Sequence, residues 1–424
     1  MLLTSRAVTQ VASVAAGLAL VRLLPDAAFG AYSLATTTIG LAGIIADVGL
    51  DTILTREIAA QPFAAPHLFQ QAALIRLSIG VLVITMLVLV ASLTSGLGAA
   101  DLLFIGGLSL LPRGLARAIT AALTGLGRIR VAARLEAVAG LSSASLSVAL
   151  VIIILLQAVP GGDELARAGA AAAIWALVIG NLIGMVVAWW WRPRSVGVAL
   201  DAPPSSLTAL LIAGLPFVLV GLAGAVFQAM DVYVVKLFHW TGRTPDALAL
   251  YAAPFRILNV LLLVPTAWGV AALPRYVALV KHDPAALRAR LRRDVRQSTG
   301  IGLALSVGCM LFAAPLTQIG LGAAYASASP ILALVGWMSL PVCLSAPAIA
   351  LLTAAHRQQR IAISVLGAGV LALVANVAWG WLAAAQQADA VPRLLGVAAI
   401  KVASMSVLLG LYWLSARGTL HEGR

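Results

Sequence analysis

Seven ionisable residues stand inside long apolar stretches of this 424-residue chain: Arg22, Asp47, Arg113, Arg117, Asp231, Arg256 and Lys401. A charge inside a membrane-spanning helix costs roughly 2.5–3.5 kcal/mol or more, so each of the seven is a functional candidate. Arg113 and Arg117 are four residues apart, which puts them on one face of a helix. Arg256 lies about 14 Å from the start of its apolar segment at about 1.5 Å per residue, and Lys401 sits at a similar depth in the last segment. Arg22 closes the outer end of the first segment, Asp231 lies in the outer half of the seventh, and Asp47 is near the inner end of the second.

The sign of these charges matters more than their number. Cations outnumber acids, whereas a purely structural bundle would pair them one to one. An excess of buried positive charge calls for an anion from elsewhere, and the planar fork of arginine suits phosphate. Arg22, Arg113, Arg117, Arg256 and Lys401 are therefore read as lining a water-filled cavity for an anionic substrate, with Asp231 and Asp47 as coupling or structural ion-pair acids. Structural readings compete. Asp231 and Arg256 fall on successive segments and could pair. Arg117 could snorkel to the interface, as is expected of Arg76, and Lys401 could bond carbonyls freed at a kink.

The elements that position these residues follow from composition. Of all residues 62% are hydrophobic and only 10% are charged, and mean hydropathy is +1.02. Soluble domains carry roughly 25% charged residues, so the solvent of this chain is lipid. Twelve apolar segments are predicted, at about 5–24, 29–51, 72–94, 101–125, 132–157, 168–191, 207–237, 247–272, 296–320, 328–353, 360–385 and 391–415. No period-2 alternation with turn signals recurs, which excludes a β-barrel. The fold class is an all-α integral membrane protein of about twelve transmembrane helices in two six-helix bundles.

The net charge of +13 reads as the positive-inside rule, not as nucleic-acid binding. With the N-terminus inside, seventeen loop cations fall on the cytoplasmic face and five on the other, so both termini are expected in the cytoplasm. The most polar central stretch divides the chain into lobes at 1–195 and 207–424, joined by a cytoplasmic linker at 196–206. A faint repeat supports duplication. Pro25-Asp26-Ala27 precedes Tyr32, as Pro245-Asp246-Ala247 precedes Tyr251, and Arg56 and Arg275 follow each tyrosine at equal spacing. Parallel halves of this kind place a transport path between them. Asp283 and Pro284 signal a helix start, and Leu287, Leu291 and Val295 make an apolar stripe among arginines. The expectation for 283–296 is a short amphipathic helix lying on the cytoplasmic leaflet against anionic lipid.

Other signals are quieter. Soluble catalytic motifs are absent, so no enzyme activity, cofactor or metal is expected. Cys309 and Cys343 read as small buried hydrophobes. Pro112, Pro216, Pro254, Pro265, Pro315, Pro341 and Pro347 fall inside segments and predict broken helices. Trp189, Trp190 and Trp191 read as an interfacial aromatic belt.

Several runs resemble a known family. Val21-Arg22-Leu23-Leu24-Pro25, then Phe29-Gly30-Ala31-Tyr32-Ser33-Leu34, is similar to the start of the polysaccharide flippases, the Wzx-like branch of the MOP and MATE-like superfamily. Asp47-Val48-Gly49-Leu50 with Thr55-Arg56-Glu57 resembles the end of their second span. Gly214-Leu215-Pro216, Leu250-Tyr251-Ala252-Ala253-Pro254-Phe255-Arg256 and Leu273-Pro274-Arg275-Tyr276 continue the likeness. One departure is the missing glycine before Pro25. The resemblance implies a MATE-like fold and a flippase for an oligosaccharide on a polyprenyl pyrophosphate, serving O-antigen, capsule or exopolysaccharide assembly at a bacterial inner membrane. It carries no catalytic residues. The implied partners are the lipid-linked oligosaccharide, a sodium or proton gradient, and polysaccharide polymerase or export proteins.

Three alternatives stand beside it. A cation-coupled multidrug exporter of the same fold would favour an acid-rich cavity. A major-facilitator carrier would carry a basic motif after its second span, which 47–57 lacks. A membrane-embedded glycosyltransferase or polymerase would need an acid dyad and a large outer loop.

Overall fold

The computed structural model describes residues 2–93, 100–157, 162–192, 207–238, 246–355, 357–385 and 390–421. Among the described residues every regular element is helical. The linker expected at 196–206 lies outside them. The helices group into two compact units, Met1–Ala225 and Val226–Arg424.

Unit 1 holds α1 (Leu2–Leu23), α2 (Asp26–Asp47), α3 (Leu50–Ala60), α4 (Ala65–Leu93), α5 (Ala100–Leu108), α6 (Leu110–Gly125), α7 (Ile129–Gln157), α8 (Gly162–Trp191) and the first part of α9 (Leu207–Leu237). Its core joins Leu50, Leu54 and Ile58 of α3 to Phe69 and Ile75 of α4, Ile119 and Leu123 of α6 and Leu135 of α7. Val218 of α9 packs against this core. The contact boundary between the two units falls inside α9. α7 and α8 approach closely because Gly180 has no side chain: a Cβ there would come within 2.6 Å of the Ser143 backbone nitrogen. Gly180 and Gly184 form the small-xxx-small spacing that brings membrane helices together.

Unit 2 holds the rest of α9, then α10 (Ala247–Leu261), α11 (Leu263–His282), α12 (Pro284–Leu311), α13 (Ala313–Gly320), α14 (Ser329–Val335), α15 (Ser339–Ala354), α16 (Gln358–Ala385) and α17 (Ala390–His421). Tyr251, Tyr276 and Tyr325 are its largest fully buried side chains.

Prolines set the breaks. α6, α11, α13 and α15 each begin two residues before a proline: Pro112, Pro265, Pro315 and Pro341. α5, α10 and α12 end at Leu108, Leu261 and Leu311, the residues four before the first three of those prolines. That is the carbonyl a proline ring both clashes with and leaves without its helical donor. The α12–α13 break bends by 75°. Pro254 and Pro347, by contrast, lie within continuous helices.

Large apolar side chains cover the outside. Val81, Leu82, Met86 and Val90 on α4, and Ile363, Val370, Leu371 and Val374 on α16, are exposed. Such surfaces suit lipid, where only helices with all backbone groups satisfied persist. Among the described residues eight helices are long and apolar enough to cross a membrane, and up to nine if the bent α12–α13 pair is one span. All twelve predicted segments fall on helices.

One predicted element is corrected. The stretch 283–296 is no separate surface helix; it is the first half of the continuous α12. Its start is as expected, since Asp283 accepts a hydrogen bond from the Ala286 backbone N–H at 2.8 Å and Pro284 is the first helical residue. The apolar stripe faces protein, however. Leu287 and Leu291 are buried, and Asp294, on the same helix, is fully buried, held by the Tyr276 hydroxyl at 2.8 Å and by Arg290. A carboxylate inside the stripe favours α11 over lipid because α11 supplies its donor.

Candidate functional site

The site in unit 1 begins with a turn. α2 ends at Asp47, α3 starts at Leu50, and Val48 and Gly49 between them both have positive φ, 49° and 64°. Positive φ in a β-branched residue is rare and strained, and Gly49 lowers the cost of a second one. The turn delivers two carboxylates to one place, Asp47 from the end of α2 and Asp51 from the first turn of α3.

Three arginines meet them. Arg117 of α6 bridges both acids, pairing with Asp47 through one guanidinium nitrogen and with Asp51 through the other. Arg76 of α4 takes the second oxygen of Asp51 and donates to the Gly114 carbonyl at 3.0 Å. Arg113, one turn before Arg117, is half-buried; its backbone N–H donates to the Ser109 carbonyl at 3.2 Å, and its guanidinium makes no hydrogen bond or ion pair among the described residues. Its guanidinium lies against α2, with Nη1 3.6 Å from where a Cβ at Gly43 would sit. A larger residue at 43 would press on it. Asp47 and Asp51 are within electrostatic reach of Arg113, as Glu136 of α7 is of Arg117.

Exposure grades across the cluster. The Arg76 side chain is 1% exposed, Asp47 15%, Asp51 32% and Arg117 41%. Arg76 is thus an internal anchor, which corrects the snorkelling expected of it; it is long enough to reach Asp51 and the α6 backbone. Arg117 is held by two acids, Asp47 and Asp51.

Unit 2 carries a different arrangement. Lys401 of α17 pairs with Asp231 of α9 at 3.1 Å, and both side chains are 3% exposed. The ammonium also donates to the Phe227 carbonyl at 3.1 Å and the Gln228 carbonyl at 2.7 Å, which accounts for its three protons. The other Asp231 oxygen accepts from the Tyr251 hydroxyl at 2.6 Å. The Asp231–Arg256 pair considered from sequence order gives way to Asp231–Lys401. Arg256 is half-buried on α10, five residues beyond Tyr251. Arg22 is exposed near the C-terminal end of α1, and α2 separates that end from the Asp47 cluster by roughly 30 Å at about 1.5 Å per residue.

The structure therefore brings Arg113, Arg117 and Asp47 together in one unit, and Asp231 and Lys401 in the other. It adds Asp51, Arg76 and Tyr251, which were not singled out. Asp51 and Arg76 join the cluster through the Val48–Gly49 turn, which carries no residue-spacing signal. Near the interface, Trp190 is exposed and Arg192 stacks 3.5 Å from the Trp189 ring centroid, in keeping with an aromatic belt. Among the described residues no His, Cys, Asp and Glu cluster could hold a metal ion.

The overall fold is similar to those of solved membrane-protein structures. An inward-facing multidrug resistance MATE family transporter of the MOP superfamily aligns with TM-score 0.73 and 16% identity, over 97% of this chain and 95% of that one. Lipid II flippase MurJ in an inward closed conformation aligns with TM-score 0.71 and 11% identity, over 98% and 87%. A MOP superfamily transporter from Pyrococcus furiosus aligns with TM-score 0.64 and 13% identity, over 99% and 96%. The fold is like that of these MOP superfamily proteins, and with eight helices among the described residues long and apolar enough to cross a bilayer the chain is a multi-pass membrane protein. Residues 1–280 match the family described as "Polysaccharide biosynthesis protein", and the chain belongs to that family. A comparison with curated protein sequences finds no significant match.

Proposed function

We propose that the chain is a flippase for an oligosaccharide carried on a polyprenyl pyrophosphate. It moves the head group from the cytoplasmic to the outer leaflet of a bacterial inner membrane by alternating access, with both termini in the cytoplasm. The observation that supports this reading most directly is Arg113. It stands beside a network in which two carboxylates already hold two other arginines, and its guanidinium has no direct partner among the described residues. A half-buried guanidinium in that position is suited to a phosphate oxygen pair. The family's description, polysaccharide biosynthesis, supports a glycan carrier as the source of such an anion. A drug exporter is less well supported, because a cationic drug needs a carboxylate to meet it. Asp47, Asp51 and Asp231 are each held by a protein cation.

The test is flipping of a fluorescent oligosaccharide–pyrophosphate lipid by the full chain in proteoliposomes. Arg113→Gln should slow flipping at least about tenfold with an unchanged thermal midpoint, and Arg113→Lys, which keeps the charge and loses the fork, should fall between. Arg113→Gln combined with Arg256→Gln should abolish it. Normal flipping by that folded double variant would sink the proposal.

A further inference from the structure

The helix restarting at Pro112 in unit 1 and the helix restarting at Pro341 in unit 2 are corresponding elements. Each belongs to the fourth apolar segment of its half, and each begins two residues before its proline. Their chemistry differs at matching positions. One and five residues after the proline, unit 1 has Arg113 and Arg117; unit 2 has Val342 and Ala346. Those two residues line a partly open cavity of about 400 Å³ within unit 2. Pro265, Ile349 and Met405 continue its wall.

The cavity contains no carboxylate, amine, guanidine or imidazole among its lining residues. Its polar residues are Gln228, Ser345, Thr353 and Tyr412, against eight apolar ones. Ser345 donates its proton to the Pro341 carbonyl at 2.7 Å, and the Gln228 carbonyl accepts from Lys401. Water is held by two to four polar partners, so a wall that is mostly apolar favours an apolar occupant. At about 30 Å³ per small group, the space accepts roughly a dozen carbon-sized groups, or two to three five-carbon units of a chain.

We propose that this cavity takes the uncharged prenyl chain of the transported lipid at some stage of the cycle, so that the duplicated broken helix has diverged into one copy for the anionic head and one for the apolar tail. This rests on the flippase reading. A chain leaving lipid gains little from the hydrophobic effect, so the cavity contributes through close packing, which discriminates between chain shapes. A methyl-branched prenyl chain and a straight acyl chain are therefore separable by experiment.

The full chain in lipid nanodiscs is irradiated with a polyprenyl phosphate carrying a photoreactive group on its tail, and labelled peptides are identified by mass spectrometry. Labels are expected on the stretches around Ala346 and Met405, and unlabelled polyprenyl phosphate should compete at least about tenfold better than phosphatidylglycerol. Ala346→Phe, which fills the space, should lower this labelling, as should the second filling variant Ala350→Leu. Labels confined to other helices, or equal competition by phosphatidylglycerol, would overturn the proposal. Arg113→Gln should leave the positions of the cavity labels unchanged, whatever its effect on the total yield. If that variant flips normally while the labels persist, the head-group reading fails and the tail site stands; if it stops flipping and wild-type protein takes no label here, the reverse holds.

Discussion

Two charged clusters, one in each unit, solve the problem of charge in an apolar interior differently. In unit 2, Asp231 and Lys401 are balanced one to one, 3% exposed, and saturated by Tyr251 and two backbone carbonyls. Nothing is left over to bind a ligand. In unit 1, three arginines surround two acids, exposure rises from 1% at Arg76 to 41% at Arg117, and the Arg113 guanidinium remains without a direct partner among the described residues. On the function proposed above, the difference separates a pin from a receptor: a pin is complete in itself, and a receptor is completed by its cargo. Sequence reasoning had placed Lys401 with the arginines as a substrate contact, and its geometry supports a positioning role for α9 and α17.

The largest expected effect comes from breaking the pin. Asp231→Asn or Lys401→Met leaves one buried charge without its partner and should cost about 3–5 kcal/mol. Thermal unfolding in detergent would show a large drop in midpoint for each single variant and substantial recovery in the double variant. Equal stability of all three would mean that the pair is not the pin described here.

Next comes Arg117→Gln in the receptor cluster. Asp47 loses its ion-pair partner while Asp51 keeps Arg76, so stability should fall by about 1–3 kcal/mol and flipping should fall further than stability accounts for. Loss of flipping in strict proportion to loss of folded protein would make Arg117 a purely structural residue.

A smaller effect is expected at the α11–α12 contact. Tyr276→Phe removes one hydrogen bond to the fully buried Asp294 and should cost about 1–2 kcal/mol, with flipping per folded molecule unchanged. Reduced transport in fully folded protein would bring α12 into the mechanism. Smallest of all, Arg56→Ala should change stability by less than about 0.5 kcal/mol, because its pair with Glu57 is solvent-exposed on both sides.

Much of this was legible in the chain. Arg113, Arg117 and Asp47 could be singled out because a charge in an apolar run is costly wherever its partner lies. Asp51 and Arg76 could not be joined to them. Arg76 reads as a boundary cation until the Val48–Gly49 turn is known to swing Asp51 beside it. Asp231 was compared with Arg256 because the two lie on neighbouring segments, whereas its partner is 170 residues away. The stripe on 283–296 showed an apolar face correctly but not what covers it, since lipid and α11 present similar chemistry to Leu287 and Leu291.

What the sequence by itself determined is local or global in kind. Composition set the solvent, since a chain 62% hydrophobic has no means of covering itself with polar groups. Prolines set the helix breaks, because a ring disrupts its own helix at a known offset. Asp283 set a helix start through a bond three residues long. The tertiary structure alone decided which charges are spent and which are left over. Arg117 meets Asp51 across 66 residues, and Lys401 meets Gln228 across 173. Coulomb attraction depends on distance in space, and for helices that cross the same membrane, separation along the chain says almost nothing about that distance.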